Sequence, residues 1–282
     1  MKKRLFLMLA CILCGSLLFT ACANESAENT SESTEKTTES AEVTQTDIEE
    51  NIIGKWILTD KDGEPQPTNK KYVIDFVSDS RAYVGASLNW SPEAGSFWEP
   101  NLEADVSING NNVMLTASYD GNKTSEDVYT LTAINDNTFT ANRKGTLIQD
   151  GTEVFADEKI VTFVKINDDY SDDIIGTWEG RCTSEGSVFD DGQDHRWEYK
   201  DDGTYVYYEK DGDNWMPGDD TENEYFVAGN LLCTRWIEND EEYREWWEIS
   251  IDGGKMNWTA LREDEDGNTF TATFEMNKIE ED

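Results

Sequence analysis

The chain has 282 residues, with 23 Lys and Arg against 60 Asp and Glu, a net charge of -37. Such an excess of anions argues against nucleic acid or anionic lipid head groups as partners, because like charges repel and no basic patch interrupts them. The length accommodates one large or two ordinary domains behind a targeting segment.

In chain order, Met1-Lys2-Lys3-Arg4 is cationic, Leu5 to Phe19 is apolar, and the small residues Thr20 and Ala21 precede Cys22. Charge, length and cleavage chemistry make residues 1–21 a signal peptide, too short to remain as a spanning helix. Leu18-Phe19-Thr20-Ala21-Cys22 resembles the bacterial lipobox, with Phe19 where leucine is usual. That resemblance implies acylation of Cys22 (the palmitate type of modification) and a lipid-anchored protein on the extracytoplasmic face of the cell membrane. The alternative is plain secretion with an unmodified thiol. Residues 22–47 are Ser-, Thr- and Glu-rich with Val43 as their large apolar residue, so they read as a disordered tether spanning about 30 Å.

The remainder is duplicated. Ile52-Ile53-Gly54-Lys55-Trp56 returns as Ile174-Ile175-Gly176-Thr177-Trp178, each after an acidic lead-in. Thr140-Ala141-Asn142-Arg143 returns as Thr259-Ala260-Leu261-Arg262, and Val164-Lys165-Ile166 as Asn277-Lys278-Ile279. The repeat places domains at 48–168 and 169–282. Inside each copy the period is two: Leu102, Ala104, Val106 and Ile108 alternate with polar residues, as do Phe270, Ala272, Phe274 and Met276. Asp62-Gly63, Asn109-Gly110, Asp150-Gly151, Asp211-Gly212 and Asp252-Gly253 are hairpin turn dipeptides. The expected fold is therefore all-β: two tandem small antiparallel up-and-down barrels of about eight strands each.

Gly54-x-Trp56 and Gly176-x-Trp178 resemble the Gly-x-Trp signature of lipocalin-like proteins. The resemblance implies that each tryptophan closes one barrel end beneath an arginine from a late strand, the role expected of Arg143 and Arg262. Each copy is short and lacks the C-terminal helix of the animal lipocalins. Trp56, Trp178, Arg143 and Arg262 are thus expected to be structural, with no ligand role.

Candidate binding residues are Trp90 and Trp98 in the polar segment 87–101 and Trp215 in its counterpart, where an aromatic ring can stack on a sugar, cover an apolar ligand or fold back onto its own domain. Trp246, on the polar face of its strand, is expected either to meet the other domain or to form an adhesive surface. Cys182 and Cys233, the two cysteines left after Cys22, form a disulfide or two buried thiols. Acidic clusters such as Asp211-Gly212-Asp213 and Asp264-Glu265-Asp266 miss the EF-hand pattern and read as solvated turns, with calcium as the alternative. His195 is the single histidine and is expected at the surface; no nucleophile or phosphate-loop motif accompanies it. No metal, cofactor or catalytic residue is expected, and the protein is expected to be monomeric. Two functions stand open: binding of a small hydrophobic or glycan ligand in the barrels, or a non-catalytic interaction module whose filled barrels contact envelope proteins or polysaccharide.

Overall fold

The structure is a computed structural model that describes residues 42–86, 102–119, 122–184, 189, 191–219, 221–264 and 266–280. Cys22, the signal peptide and the segment with Trp90 and Trp98 lie outside the described residues. Residues from Glu42 to Asp282 form one compact unit.

Folded structure begins ahead of the boundary that composition assigns to the tether. Thr44 caps a helix, α1 (Gln45–Asn51), its hydroxyl accepting from the Asp47 N–H while the Asp47 carboxylate accepts from the Thr44 N–H. Val43 and Ile48 flank that capping box as a hydrophobic staple, and both join the first core. The disordered reading of residues 43–47 is corrected accordingly: two apolar side chains and a reciprocal cap are enough to order them against a barrel.

The first sheet contains β1 (Gly54–Lys61), β2 (Glu64–Pro65), β3 (Tyr72–Phe76), β4 (Arg81–Ala86), β5 (Leu102–Asn109), β6 (Asn112–Tyr119), β7 (Lys123–Ile134), β8 (Thr138–Gln149) and β9 (Thr152–Lys165). β1 pairs antiparallel with both β2 and β3, the strands from β3 to β9 pair antiparallel in sequence, and β1 also pairs with β9, from Trp56 opposite Lys165 to Lys61 opposite Val161. That last pairing closes the sheet into an eight-stranded barrel in which β2 is a short extension on β1. Asp62-Gly63 and Asp150-Gly151 take positive φ at both residues, the geometry of tight hairpins.

The second sheet contains β10 (Gly176–Cys182), β11 (His195–Tyr199), β12 (Tyr205–Asp211), β13 (Asn214–Pro217), β14 (Thr221–Ala228), β15 (Leu231–Glu238), β16 (Glu241–Asp252), β17 (Lys255–Glu263) and β18 (Thr269–Ile279). It curls in the same order, with β10 between β11 and β18. Its two ends meet at the Thr204–Glu224 bridge and through Tyr225, whose N–H donates to Gly203 O at 2.8 Å and whose hydroxyl donates to Lys200 O at 2.6 Å. This is a barrel with an incomplete seam.

Alternation along the strands fills each interior. In β17, Met256, Trp258 and Ala260 point inward between exposed Lys255, Asn257 and Thr259. The first core centres on Trp56, Phe139 and Phe163, the second on Trp178, Trp247, Trp258 and Phe274. A third cluster lies outside both barrels and joins them: Ile57, Val73, Val164 and Ile166 against Phe226, Ala228, Leu231, Cys233 and Trp246. Trp246 is 5% exposed there and so meets the first barrel rather than solvent. Beside it, Lys71 forms an ion pair with Glu248, and Thr68 Oγ1 accepts from the Leu261 N–H at 3.0 Å.

Candidate functional site

The duplicated motif builds the same closure in both barrels. Trp56 is fully buried and its Nε1 donates to Ile52 O at 2.6 Å; Trp178 is fully buried and donates to Ile174 O at 2.6 Å. Over these rings lie the ammonium groups of Lys165, at 5.0 Å, and Lys278, at 5.1 Å. Each lysine also donates to the lead-in, Lys165 to Asn51 O at 3.1 Å and Lys278 to Asp173 O at 3.3 Å. Gly54 and Gly176 both adopt φ of 124°, and a Cβ on either would stand 2.7 Å and 2.9 Å, respectively, from the Cε of its lysine. Glycine, tryptophan and lysine are therefore one device: the first makes room for the third to cover the second.

This corrects the role expected of Arg143 and Arg262. Neither covers a Gly-x-Trp tryptophan, because β8 and β17 carry them toward the opposite barrel end. In register Trp56 faces Lys165, whereas Arg143 faces Lys159, about 20 Å further along β9. There Arg143 points inward and pairs with Asp127 at 2.6 Å and Asp157 at 3.1 Å. Below it the Tyr72 and Tyr129 hydroxyls lie 3.4 Å apart. Burial pushes Tyr72 up to about 12 and raises Tyr129 as well. Arg262 occupies the equivalent place on the inner face of β17, with Trp247 at 4.6 Å and Phe189 at 5.5 Å, two rings that also meet each other.

Trp215, on the edge strand β13, has its ring approached by Arg196 at 4.6 Å and Lys210 at 5.2 Å, so cations already engage it. Cys182 faces the second core and Cys233 the contact between barrels; both are buried thiols, and no disulfide joins them. Of the two alternatives open in the sequence, the bridge is thus the one set aside: successive residues of β15 are buried on both faces, and Cys233 takes the outer one. His195, expected at the surface, is half-buried among aromatic rings with one acid beside it. Its Nδ1 lies 3.0 Å from the Tyr207 hydroxyl and its Nε2 lies 3.2 Å from Asp191 Oδ1, while its ring stacks on Trp197. The Asp264 carboxylate accepts from the backbone N–H groups of Asp266 and Asn268, which makes it a turn acceptor. Among the described residues, no group of three or more His, Cys, Asp or Glu could hold a metal ion.

The barrel interiors are occupied by their own rings. Trp56 meets Phe139 at 5.0 Å and Phe139 stacks on Phe163 at 4.6 Å. In the second barrel Trp258 contacts Trp197 at 4.7 Å, Trp247 at 5.4 Å and Phe274 at 5.8 Å. Two open surface grooves lie elsewhere, one of about 410 Å³ near Lys55, Asp172 and Tyr225, the other of about 500 Å³ at the seam beside Tyr205 and Asn223. Along β9, Val154, Phe155 and Ile160 are 52%, 58% and 52% exposed.

No protein-family model matches the chain, and no curated protein does. Among solved structures, transferrin binding protein B from Haemophilus parasuis, described as a vaccine antigen, is similar at 10% identity and a TM-score of 0.22. The match covers 77% of this chain and 62% of that one, so the chain spans under two thirds of its length. A TM-score of that size establishes no relationship.

Proposed function

We propose that this protein is a non-catalytic interaction module, held on the extracytoplasmic face of a membrane by lipid on Cys22, whose two barrels make contacts through their outer surfaces. The observation that carries this reading is the filling of both interiors by the protein's own aromatic side chains, with Trp258 set among Trp197, Tyr199, Trp247 and Phe274 in the second. Carrier barrels need a continuous apolar cavity of roughly several hundred Å³, and aromatic rings occupy that place in each copy. Exposed apolar side chains on β9, Phe155 foremost at 58%, offer contact for an envelope protein or polysaccharide.

Native mass spectrometry of protein purified from its own host membrane tests the reading. A diacylated chain without a further small molecule is expected; one hydrophobic or sugar ligand per chain at full occupancy would return the function to carriage. A photo-crosslinker at Phe155 should capture the same envelope component repeatedly, and the same crosslinker at exposed Lys255 should not.

A further inference from the structure

The two copies supply an internal comparison. Arg143 and Arg262 occupy matching places on inner strand faces at the barrel ends away from the Gly-x-Trp tryptophans, yet their surroundings differ in charge. Arg143 has two carboxylates, Asp127 at 2.6 Å and Asp157 at 3.1 Å. Arg262 has no ion pair within 4.0 Å among the described residues. Its Nη2 donates to Trp246 O at 3.2 Å, and its buried Nε–H meets no acceptor among the described residues. Glu245, the acid that acts on it, already accepts from Trp247 Nε1 at 3.1 Å.

A guanidinium removed from water without a counter-anion is costly, and the usual remedy is a hydrogen-bonded carboxylate. Burial accordingly holds Arg262 below the ordinary arginine range, with Glu245 opposing the fall. Apolar rings border the charge: Trp247 and Phe189, which also meet each other edge to face at 5.6 Å, and Phe270 paired across from it on β18. The site is cationic in a chain of net charge -37, which favours a single negative charge over a polyanion.

We propose that Arg262, at the rim of the second barrel, anchors a site for a monocarboxylate carried on an aromatic or apolar group. The carboxylate oxygens accept from the guanidinium fork in the place that Asp127 and Asp157 fill in the first barrel, and the carrier rests on the surrounding rings. The site needs no space inside the barrel, so it stands independently of whether the interiors carry ligand.

The test is a titration of the full-length, uniformly ¹⁵N-labelled protein, reading the arginine Nε–Hε signals. Benzoate is the first probe and benzamide its neutral counterpart. N-acetylphenylalanine and its amide form a second pair that represents the end of a peptide chain. Saturable movement of the Arg262 signal by a carboxylate, weakened at least about tenfold for the matching amide and absent from the Arg143 signal, is expected. Arg262→Gln should abolish the response, and Arg262→Lys, which keeps the charge without the fork, should weaken it. Should Arg262→Gln fail to fold, the wild-type spectra decide alone. Response to benzoate only would assign a free small acid, and response to N-acetylphenylalanine only a chain terminus. No saturable shift of Arg262 with either acid into the tens of millimolar, or equal shifts with the amides, would overturn the proposal.

Discussion

Lys165 lies with its ammonium 5.0 Å from the centre of the Trp56 ring, and it can do so only because residue 54 has no side chain. Gly54→Ala places a Cβ 2.7 Å from Lys165 Cε and forces φ of 124° on an L residue. A loss of about 2–3 kcal/mol is expected from strain and displacement together. Lys165→Ala alone removes the cation over the ring and the bond to Asn51 O, at about 1–2 kcal/mol. Because the first change already displaces the lysine, the double variant should cost less than the sum of the singles. Urea unfolding followed by Trp fluorescence measures all three, and strict additivity would show that the glycine and lysine are not coupled.

Much of the fold was legible because strand alternation and Asp-Gly or Asn-Gly turns are local signals. The identity of the cation over Trp56 was not. Gly-x-Trp and the late arginines both recur, but strand pairing decides which residue stands level with the tryptophan, and that lies in long-range register. The matched tails Val164-Lys165-Ile166 and Asn277-Lys278-Ile279 contained the answer as repeated lysines without a stated role. The hairpin turning at Asn239 and Asp240 lacks glycine, although both residues take positive φ, so no dipeptide marked it. The Thr44–Asp47 capping box was hidden in a stretch whose composition otherwise reads as tether. The site at Arg262 had no sequence signal of its own, because its distinction from Arg143 rests on which strands bring carboxylates alongside.

Both thiols of the folded region should resist modification in the native state. Cys182 and Cys233 are 7% and 1% exposed, and burial pushes the Cys233 thiol well up, so little thiolate forms near neutrality. A disulfide reagent added to native protein should react far more slowly than with protein in guanidinium, where both should titrate. Reductant should leave the melting temperature unchanged. A melting temperature that falls on reduction would reveal a bridge in solution.

Alkaline pH should unfold the barrels through their buried phenols. Burial favours the neutral form of Tyr72 and Tyr225, pushing each up to about 12, and raises Tyr129 and Tyr199 in the same direction. A folded-state value above the unfolded value near 10 means that these groups add stability fully below about pH 10. That contribution is lost as pH rises through about 12. Absorbance at 295 nm should show exposed tyrosines ionising first and a delayed fraction ionising together with loss of the near-ultraviolet dichroism. Complete ionisation of every tyrosine near pH 10 with the fold intact would contradict this placement.

The contact between the barrels offers a place to separate them without disturbing either core. Gly229 joins β14 to β15 with φ of 65°, and a Cβ there would lie 2.1 Å from Ile166 Cγ2 and 3.1 Å from Asp168 O. Its carbonyl accepts from the Tyr170 N–H at 3.0 Å, so the turn of one barrel is tied directly to the connection leaving the other. Gly229→Val combines a β-branched residue at positive φ with an overlap that only movement of Ile166 relieves. Shifting Ile166 disturbs its neighbours Val164 and Phe226 and reaches the Trp246 side of the same cluster. Calorimetry of the parent should give one transition, because the buried cluster and the Lys71–Glu248 pair couple the two cores. The variant should split it in two, with the Trp246 contribution to the emission, isolated by comparison with Trp246→Phe, moved to longer wavelength. A single transition at the parent temperature would mean that the barrels unfold together for some reason other than this contact.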